Sequence, residues 1–230
     1  MAGQLLIDFK DQHYPSLSFL LGNSNRELLL ALEEDNNSML YIWGDSTSLK
    51  NYLLHAWLAK KRQKGAMTIA LTPRILHHTP LEKLLEAKYL TIENVDQWSE
   101  EEYGKLFALL SEPLNKDQYF LVSASVAPFR LDAPKEMRSR LSLGLSYALK
   151  PLSSEDKKKL MNAFLHARQT VMSEEVLQYL SMHGPRDAQF LLHTLEALED
   201  YALILQRRIT VPLVKQFFEE HEQNQRTCFI

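Results

Sequence analysis

The stretch IWGDSTSLKN, residues 42–51, decides how the chain is interpreted, because it joins a short apolar strand to an amphipathic helix. Phosphate-binding loops follow the pattern G-x-x-x-x-G-K-[S/T]. Gly44 and Lys50 match that pattern. Leu49 replaces the second glycine and places a Cβ where backbone must approach phosphate, and Asn51 replaces the hydroxyl residue that binds magnesium. The motif alone therefore favours an ordinary strand-to-helix turn.

The composition restricts the class of protein. The chain of 230 residues is 45% hydrophobic and 24% charged, which is enough apolar sequence for a sizeable core. Its net charge of −3 offers no overall attraction to nucleic acid, so we expect direct DNA binding to be weak or absent. The single cysteine, Cys228, excludes an intramolecular disulfide. No apolar run approaches the ~20 residues of a membrane span, and no signal peptide is recognisable. We therefore expect a cytoplasmic protein.

Short apolar stretches alternate with amphipathic ones through the first two thirds of the chain. Strands are predicted at 39–43, 67–71, 88–92, 118–124 and 145–149, and helices at 25–34, 49–63, 80–87 and 99–112. Such alternation is typical of a parallel sheet that helices cover on both faces. The pattern therefore predicts an α/β domain over residues 1–150.

The strand candidates stop after Pro151, and the remaining sequence has helical periodicity. Ser153 and Ser173, each followed by acidic residues, are typical helix N-caps. We therefore predict a small all-helical domain over residues 151–222 and a loose tail over residues 223–230.

Several polar landmarks follow the loop in a fixed order. Glu93 ends the strand in YLTIENVD, and Ser123 or Ser125 ends the next strand in LVSAS. Arg140 precedes the last strand in MRSRLSLG, and Arg186 opens a helix in GPRDAQFLLHTL. The order resembles that of AAA+ proteins. The resemblance implies a P-loop-type, three-layer α/β core with a parallel sheet, followed by a small helical lid domain.

Three longer stretches resemble the Hda family, which is related to the bacterial replication initiator DnaA. They are FLLGNSNRELLLAL (19–32), LKPLSSEDKKKLM (149–161) and QRRITVPLVKQFFEE (206–220). Together with the landmarks, the resemblance covers nearly the whole chain. It implies a regulator of chromosomal replication initiation that has DnaA as its partner and promotes hydrolysis of the ATP bound to DnaA.

The resemblance also implies roles for two arginines. Arg140 would be an arginine finger, which reaches into a partner's nucleotide site and neutralises charge during phosphoryl transfer. Arg138 is the alternative finger, and a surface ion pair with Glu136, worth at most about 0.5 kcal/mol, is the structural alternative for Arg140. Arg186 resembles the sensor arginine that joins a lid to nucleotide phosphates, with an ion pair to Asp187 as its alternative.

The residues that hydrolyse ATP are altered at three places. Leu49 and Asn51 change the loop, and Asn94 stands where a second acid would orient water. We therefore predict that the chain is not an ATPase, and that its nucleotide site is weak or vestigial. We expect no cofactor, and ADP is the candidate if the altered loop still binds a nucleotide. If the loop binds none, we expect Lys50 to be a solvated lysine. The vestigial site would consist of Gly44, Lys50, Glu93 and Arg186.

The N-terminal residues QLLIDF (4–9) resemble the short peptide by which Hda proteins dock on the sliding clamp, the beta subunit of DNA polymerase III. Gln4 would supply hydrogen bonds in such a complex. Leu5, Ile7 and Phe9 would fill an apolar pocket on the clamp. The same alternation of apolar residues suits a first edge strand.

Other assignments stay open at this point. One alternative function is a weak ATP- or ADP-binding ATPase, similar to a clamp-loader subunit, and another is a DnaA-family adaptor without catalytic effect. A homodimer is compatible with either alternative function.

His77 and His78 are predicted to lie in a loop. Because adjacent residues do not share a helical face and no cysteine or carboxylate cluster lies near them, we predict no metal site and no metal.

Overall fold

A computed structural model of the chain describes residues 14–34, 38–45, 49–111, 118–184 and 187–227, with side chains up to residue 220. The predicted clamp-binding residues Gln4, Leu5, Ile7 and Phe9, and the predicted sensor Arg186, lie outside the described residues.

Five parallel strands form one sheet in the order β2-β3-β4-β1-β5. The strands are β1 (Met39–Trp43), β2 (Thr68–Leu71), β3 (Tyr89–Ile92), β4 (Tyr119–Ala124) and β5 (Leu145–Ala148). Each lies within its predicted range, so the prediction of a parallel sheet is confirmed. The order places β4 between β1 and β3, and the loops that follow these three strands therefore meet at one edge.

Helices connect the strands and then form the second domain. In the described residues they are α1 (Leu17–Leu21), α2 (Arg26–Glu33), α3 (Lys50–Gln63), α4 (Pro73–His78), α5 (Leu81–Leu85), α6 (Glu100–Ser111), α7 (Lys135–Leu141), α8 (Ser154–Ala167), α9 (Glu174–His183), α10 (Ala188–Ile204) and α11 (Val211–Thr227). The last four form the helical lid. No helix within these described ranges is both long enough and apolar enough to cross a membrane.

Two predictions about helix boundaries were wrong. His77 and His78 lie at the end of α4 and not in a loop. Thr72 caps this helix by accepting a hydrogen bond from the Ile75 N–H, and a proline occupies the first turn; both are start signals that the sequence contains. Helix α11 continues to Thr227, past the predicted start of a tail at residue 223, because no glycine or proline interrupts it.

The sheet separates two apolar clusters. Along β1, Leu40 and Ile42 face α1, α2, α3 and the lid, whereas Met39 and Tyr41 face α4 to α7. Alternation along a strand sends successive side chains to opposite faces, so one strand contributes to both clusters. The lid thus packs on the same face of the sheet as α3.

Asn25 joins the core to the segment that leads into the lid. Its side-chain amide donates to the Leu21 carbonyl at 2.7 Å and to the Lys150 carbonyl at 3.0 Å, and its oxygen accepts from the Lys150 N–H at 2.8 Å. The side chain is buried. These bonds fix the chain just after β5.

A second contact joins the same regions. The buried carboxylate of Asp156, in the first turn of α8, accepts from the Asn23 side-chain amide at 3.3 Å and from the Ser153 hydroxyl at 2.8 Å. Gly22 lies beside it with a φ of 58°. A Cβ on Gly22 would lie 2.8 Å from Leu152 Cδ2 and 2.9 Å from Asp156 Cγ. Both the backbone angle and the close approach therefore require glycine.

We expect Asn25→Ala to lower the free energy of unfolding by about 1–3 kcal/mol, because it leaves buried backbone groups without partners. Urea denaturation of the purified chain measures this loss. Asn23→Ala is the control, since Asn23 is exposed and its side-chain bond is longer. If both variants lost the same free energy of unfolding, Asn25 would not be the stronger of the two contacts between the core and the lid.

Candidate functional site

The carboxyl ends of β1, β4 and β3 meet at one edge of the sheet, which is the usual place for a ligand site in parallel sheets. The structure places Gly44 and Lys50 after β1, Glu93 after β3 and Ser125 after β4. The predicted site residues that are described thus lie at this edge, with the exception of Arg140.

Lys50 is engaged by its own loop. Its ammonium group donates to the carbonyls of Gly44 at 2.7 Å and Asp45 at 2.9 Å, and the residue is only 3% exposed. Burial lowers the pKa of Lys50, while the carboxylates of Asp96 and Asp45 oppose that shift. The alternative of a solvated lysine is therefore wrong, and two of the three ammonium protons are committed to backbone oxygens.

In this loop, Leu49 packs against apolar side chains and Gly44 packs against the lid linker. Leu49 is buried in the cluster that contains α3 and the lid. A Cβ on Gly44 would lie 3.3 Å from both the Cβ and the carbonyl oxygen of Leu149, just before the lid. Gly44 thus allows a close approach between two chain segments, which is a structural reason for glycine at this position.

Glu93 pairs with a histidine. His55, on α3, places its Nε2 3.1 Å from Glu93 Oε1, and its ring stacks on Tyr14 with a centroid distance of 5.8 Å and an interplanar angle of 17°. Burial lowers the pKa of His55, and the Glu93 carboxylate opposes that shift. Glu93, which was predicted as part of the nucleotide site, therefore has a protein partner.

The ends of β3 and β4 are joined by serine hydroxyls. Asn94 has a positive φ of 47°, and its N–H donates to Ser123 Oγ at 3.0 Å. The Ser125 hydroxyl donates to the carboxylate of Asp96, which also contributes to the field at Lys50. The sequence prediction missed Asp96, although an acid three residues after Glu93 was a signal for it.

The lid contacts this region through α10. The Tyr52 ring, on α3, meets the His193 ring of α10 edge-on at 5.7 Å. Burial and the nearby Glu196 carboxylate raise the pKa of Tyr52, so its hydroxyl stays protonated. Tyr14 also lies edge-on to Tyr52, at 6.4 Å. None of these four residues was predicted as a site residue.

Arg140 lies away from the loop, in the last turn of α7. Its Nε donates to the Leu110 carbonyl at 2.9 Å, and its terminal nitrogen donates to the same oxygen. It does not pair with Glu136, which was the structural alternative. Leu110 lies in the last turn of α6, so the guanidinium sits at the negative end of that helix. Among the described residues, Arg138 forms no side-chain hydrogen bond or ion pair.

Two of the residues predicted to contact a nucleotide are bonded within the protein. The Lys50 ammonium donates to backbone carbonyls, and the Glu93 carboxylate pairs with His55. Among the described residues, no group of three or more His, Cys, Asp or Glu side chains is arranged to hold a metal ion. The described edge is therefore arranged around contacts within the protein.

Solved structures define the class of this fold. Domain III of the replication initiation protein DnaA from Thermotoga maritima superposes with a TM-score of 0.73 at 15% identity, covering 89% of this chain and 95% of that chain. AMPPCP-bound DnaA from Aquifex aeolicus gives 0.65 at 17% identity, covering 84% and 67%. The Thermotoga maritima RuvB motor gives 0.63 at 15% identity, covering 90% and 72%. The chain has the AAA+ fold, with a parallel α/β core and a helical lid, as predicted.

The sequence comparisons narrow that class. Residues 154–218 match the family model of the Hda lid domain. A Haemophilus influenzae protein described as uncharacterized is 27% identical over 216 residues, covering 87% of this chain and 92% of the relative. The matched lid residues run from the first residue of α8 into α11. The lid is thus similar to the lid of Hda proteins, and it follows a core with the fold of DnaA domain III, which supports the resemblance stated from the sequence.

The histidine at this edge predicts a pH dependence of stability. Because burial lowers the pKa of His55 in the folded chain, protonation favours unfolding. The contribution of neutral His55 is complete above about pH 6.5 and is lost as the pH falls through the folded pKa. We expect the wild type to lose more unfolding free energy than His55→Gln between about pH 7.5 and about pH 5.5. Urea denaturation at several pH values measures these free energies. If they fell equally with pH in the wild type and in His55→Gln, the prediction would be wrong.

Proposed function

We propose that the protein regulates initiation of chromosomal replication by promoting hydrolysis of DnaA-bound ATP, with Arg140 as an arginine finger supplied in trans. The position of Arg140 carries the proposal, because it ends the helix before the last strand of a DnaA-type core that precedes an Hda-like lid. A guanidinium supplied by a neighbouring protein stabilises charge in phosphoryl transfer, an effect of about 10³–10⁵ in rate.

The contacts of Arg140 support this role. A guanidinium carries five N–H donors and stays charged at any physiological pH. Two of its nitrogens donate to the Leu110 carbonyl, which leaves further donors for phosphate oxygens. The carbonyl and the helix end orient the cation before a partner arrives, which reduces the entropy lost on binding.

The nucleotide-site remnant supports a stimulating protein over an ATPase. Asn94 cannot act as a base, and the partners of Lys50 and Glu93 are within the protein. We therefore propose that the chain has no ATPase activity of its own and acts without a bound cofactor. A weak ATPase would be the alternative, and turnover that depends on Lys50 would favour it.

We propose further that residues 4–9 dock on the sliding clamp. The support for this step is the resemblance of QLLIDF to clamp-binding peptides, because these residues lie outside the described ones. Clamp docking would concentrate the protein on replicated DNA. The protein would therefore act only after initiation has occurred. This would make the regulation negative.

Arg140→Ala should lower stimulated hydrolysis of DnaA-bound ATP by roughly 10³-fold, because the transition state loses its added cation. Labelled ATP on DnaA, mixed with clamp-loaded DNA and the protein, measures the rate. Arg138→Ala is the matched control and should keep the wild-type rate. If only Arg138→Ala lowered the rate of hydrolysis, Arg138 would be the arginine finger. If both variants kept the wild-type rate, neither arginine of this helix would be a finger.

Phe9→Ala should weaken clamp binding at least about tenfold, because it removes an aromatic anchor from the peptide. Surface plasmon resonance on immobilised clamp measures the affinity, with Phe129→Ala, an exposed phenylalanine elsewhere, as control. Unchanged affinity in Phe9→Ala would refute docking through residues 4–9. Weakened clamp binding combined with wild-type rates in Arg140→Ala would identify a non-catalytic adaptor.

A further inference from the structure

The strand β5 lies at one end of the sheet, and among the described strands it pairs with β1 alone. One side of its backbone therefore has no neighbouring strand in the described residues. We infer that this open edge is an interaction surface for a second copy of the chain, whose own β5 pairs with it antiparallel across a two-fold axis. The pairing is independent of the proposed function, because it involves neither DnaA nor the sliding clamp.

A hydrogen bond just after β5 shows which of its backbone groups face outward. The Leu149 N–H donates to the Trp43 carbonyl of β1 at 2.7 Å, so Leu149 faces the sheet. Because successive residues of a strand direct their backbone groups to opposite sides, Tyr147 also faces β1. Ser146 and Ala148 therefore face away from β1. Within the described part of the chain, the outward N–H and C=O groups of these two residues have no partner.

The outward side of this segment is closed at Lys150. The Asn25 side chain accepts from the Lys150 N–H at 2.8 Å and donates to the Lys150 carbonyl at 3.0 Å. A side-chain amide thus makes the bonds that a neighbouring strand would make at this residue. The open edge therefore ends before Lys150, and its outward groups on β5 are those of Ser146 and Ala148.

The open edge lacks the charges that protect many edge strands from pairing with another chain. Residues 141–149 contain no Asp, Glu, Lys or Arg. Leu143 is 74% exposed and Leu145 is 44% exposed, so this edge also presents apolar surface. The opposite edge of the sheet differs, because the Arg62 guanidinium donates to Thr68 Oγ1 of β2 at 3.0 Å and places a charge beside that strand.

These features favour a second copy as the occupant of the edge. Two identical edges usually bring like charges together, and here no charge lies on the paired strand. In an antiparallel pair centred on Tyr147, Ser146 of one copy lies opposite Ala148 of the other, and the two exchange N–H···O=C bonds. The two-fold axis repeats this pair, so all outward groups of both residues are bonded.

The same register matches the side chains on one face of the two strands. Tyr147 and Leu149 pack against the apolar cluster that contains α3, and alternation places Leu145 on the same face. Across the axis, Tyr147 meets Tyr147 of the other copy, and Leu145 meets Leu149. Apolar cross-strand pairs of this kind stabilise a sheet. Backbone and side chains therefore fit the same antiparallel register.

Sedimentation equilibrium of the purified full chain tests the pairing. We expect a concentration-dependent dimer with a Kd below about 100 μM. Ser146→Lys places like charges on the paired edges and should raise the Kd at least about tenfold. Ser181→Lys is the matched control, because Ser181 is an exposed serine on the lid helix α9, and it should keep the wild-type Kd. A monomeric wild type, or a dimer that Ser146→Lys leaves unchanged, would overturn the inference.

Ala148→Pro tests the backbone bonds of the dimer. Proline has no N–H, and the Ala148 N–H points away from β1, so the bonds inside the sheet remain. We expect the Kd to rise at least about tenfold while the circular dichroism spectrum stays that of the wild type. A wild-type Kd in folded Ala148→Pro would overturn the inference. If Ala148→Pro does not fold, Ser146→Lys still decides, because it changes only an exposed side chain.

A cysteine on the axis tests the register. At Tyr147 the two strands form a non-hydrogen-bonded pair with Cα atoms about 4.5 Å apart, a distance that a disulfide spans. In a Cys228→Ser background, oxidised Tyr147→Cys should form a cross-linked dimer, and Ser181→Cys should stay monomeric on a denaturing gel. Absence of the cross-link in Tyr147→Cys would overturn the register centred on Tyr147.

Discussion

The hydrogen bonds between Asn25 and Lys150 determine where the lid lies. Lys150 follows β5 directly, and Asn25 fixes its N–H and its carbonyl at the start of α2. The chain therefore enters the lid on the face of the sheet that carries α1, α2 and α3. Gly22 then allows Asp156 of α8 to approach the same loop. Because of these two contacts, α10 reaches α3, and Tyr52 can meet His193.

The loop after β1 shows how a phosphate-loop sequence is stabilised by contacts within the protein. A buried ammonium group is costly unless it is hydrogen-bonded, and the carbonyls of Gly44 and Asp45 meet that requirement for Lys50. Burying the Leu49 side chain contributes about 1.5–3 kcal/mol that a glycine could not supply. The contacts of Leu49 and Lys50 thus stabilise the turn between β1 and α3.

The sequence predicted the elements whose signal is local and missed contacts that depend on the lid. The five strands were predicted because each is a short apolar run between helical patterns. The signal for the start of α4, a capping threonine followed by a proline, was also local, but the sequence prediction overlooked it. Tyr52 and His193 are separated by most of the chain, and their contact exists only because the linker places α10 over α3. The roles of Arg140 and of residues 4–9 were predicted from resemblance and stay predictions.

Arg140 and the loop after β1 lie on opposite faces of one sheet. Arg140 is held by α6 and α7, which pack in the cluster around Tyr41, whereas Lys50, Tyr52 and His55 lie on α3, which covers the other face. The contacts of Arg140 are therefore separate from those of the loop after β1. The two faces are still connected along the chain, because α7 is followed by β5 and then by Lys150, which is hydrogen-bonded to Asn25.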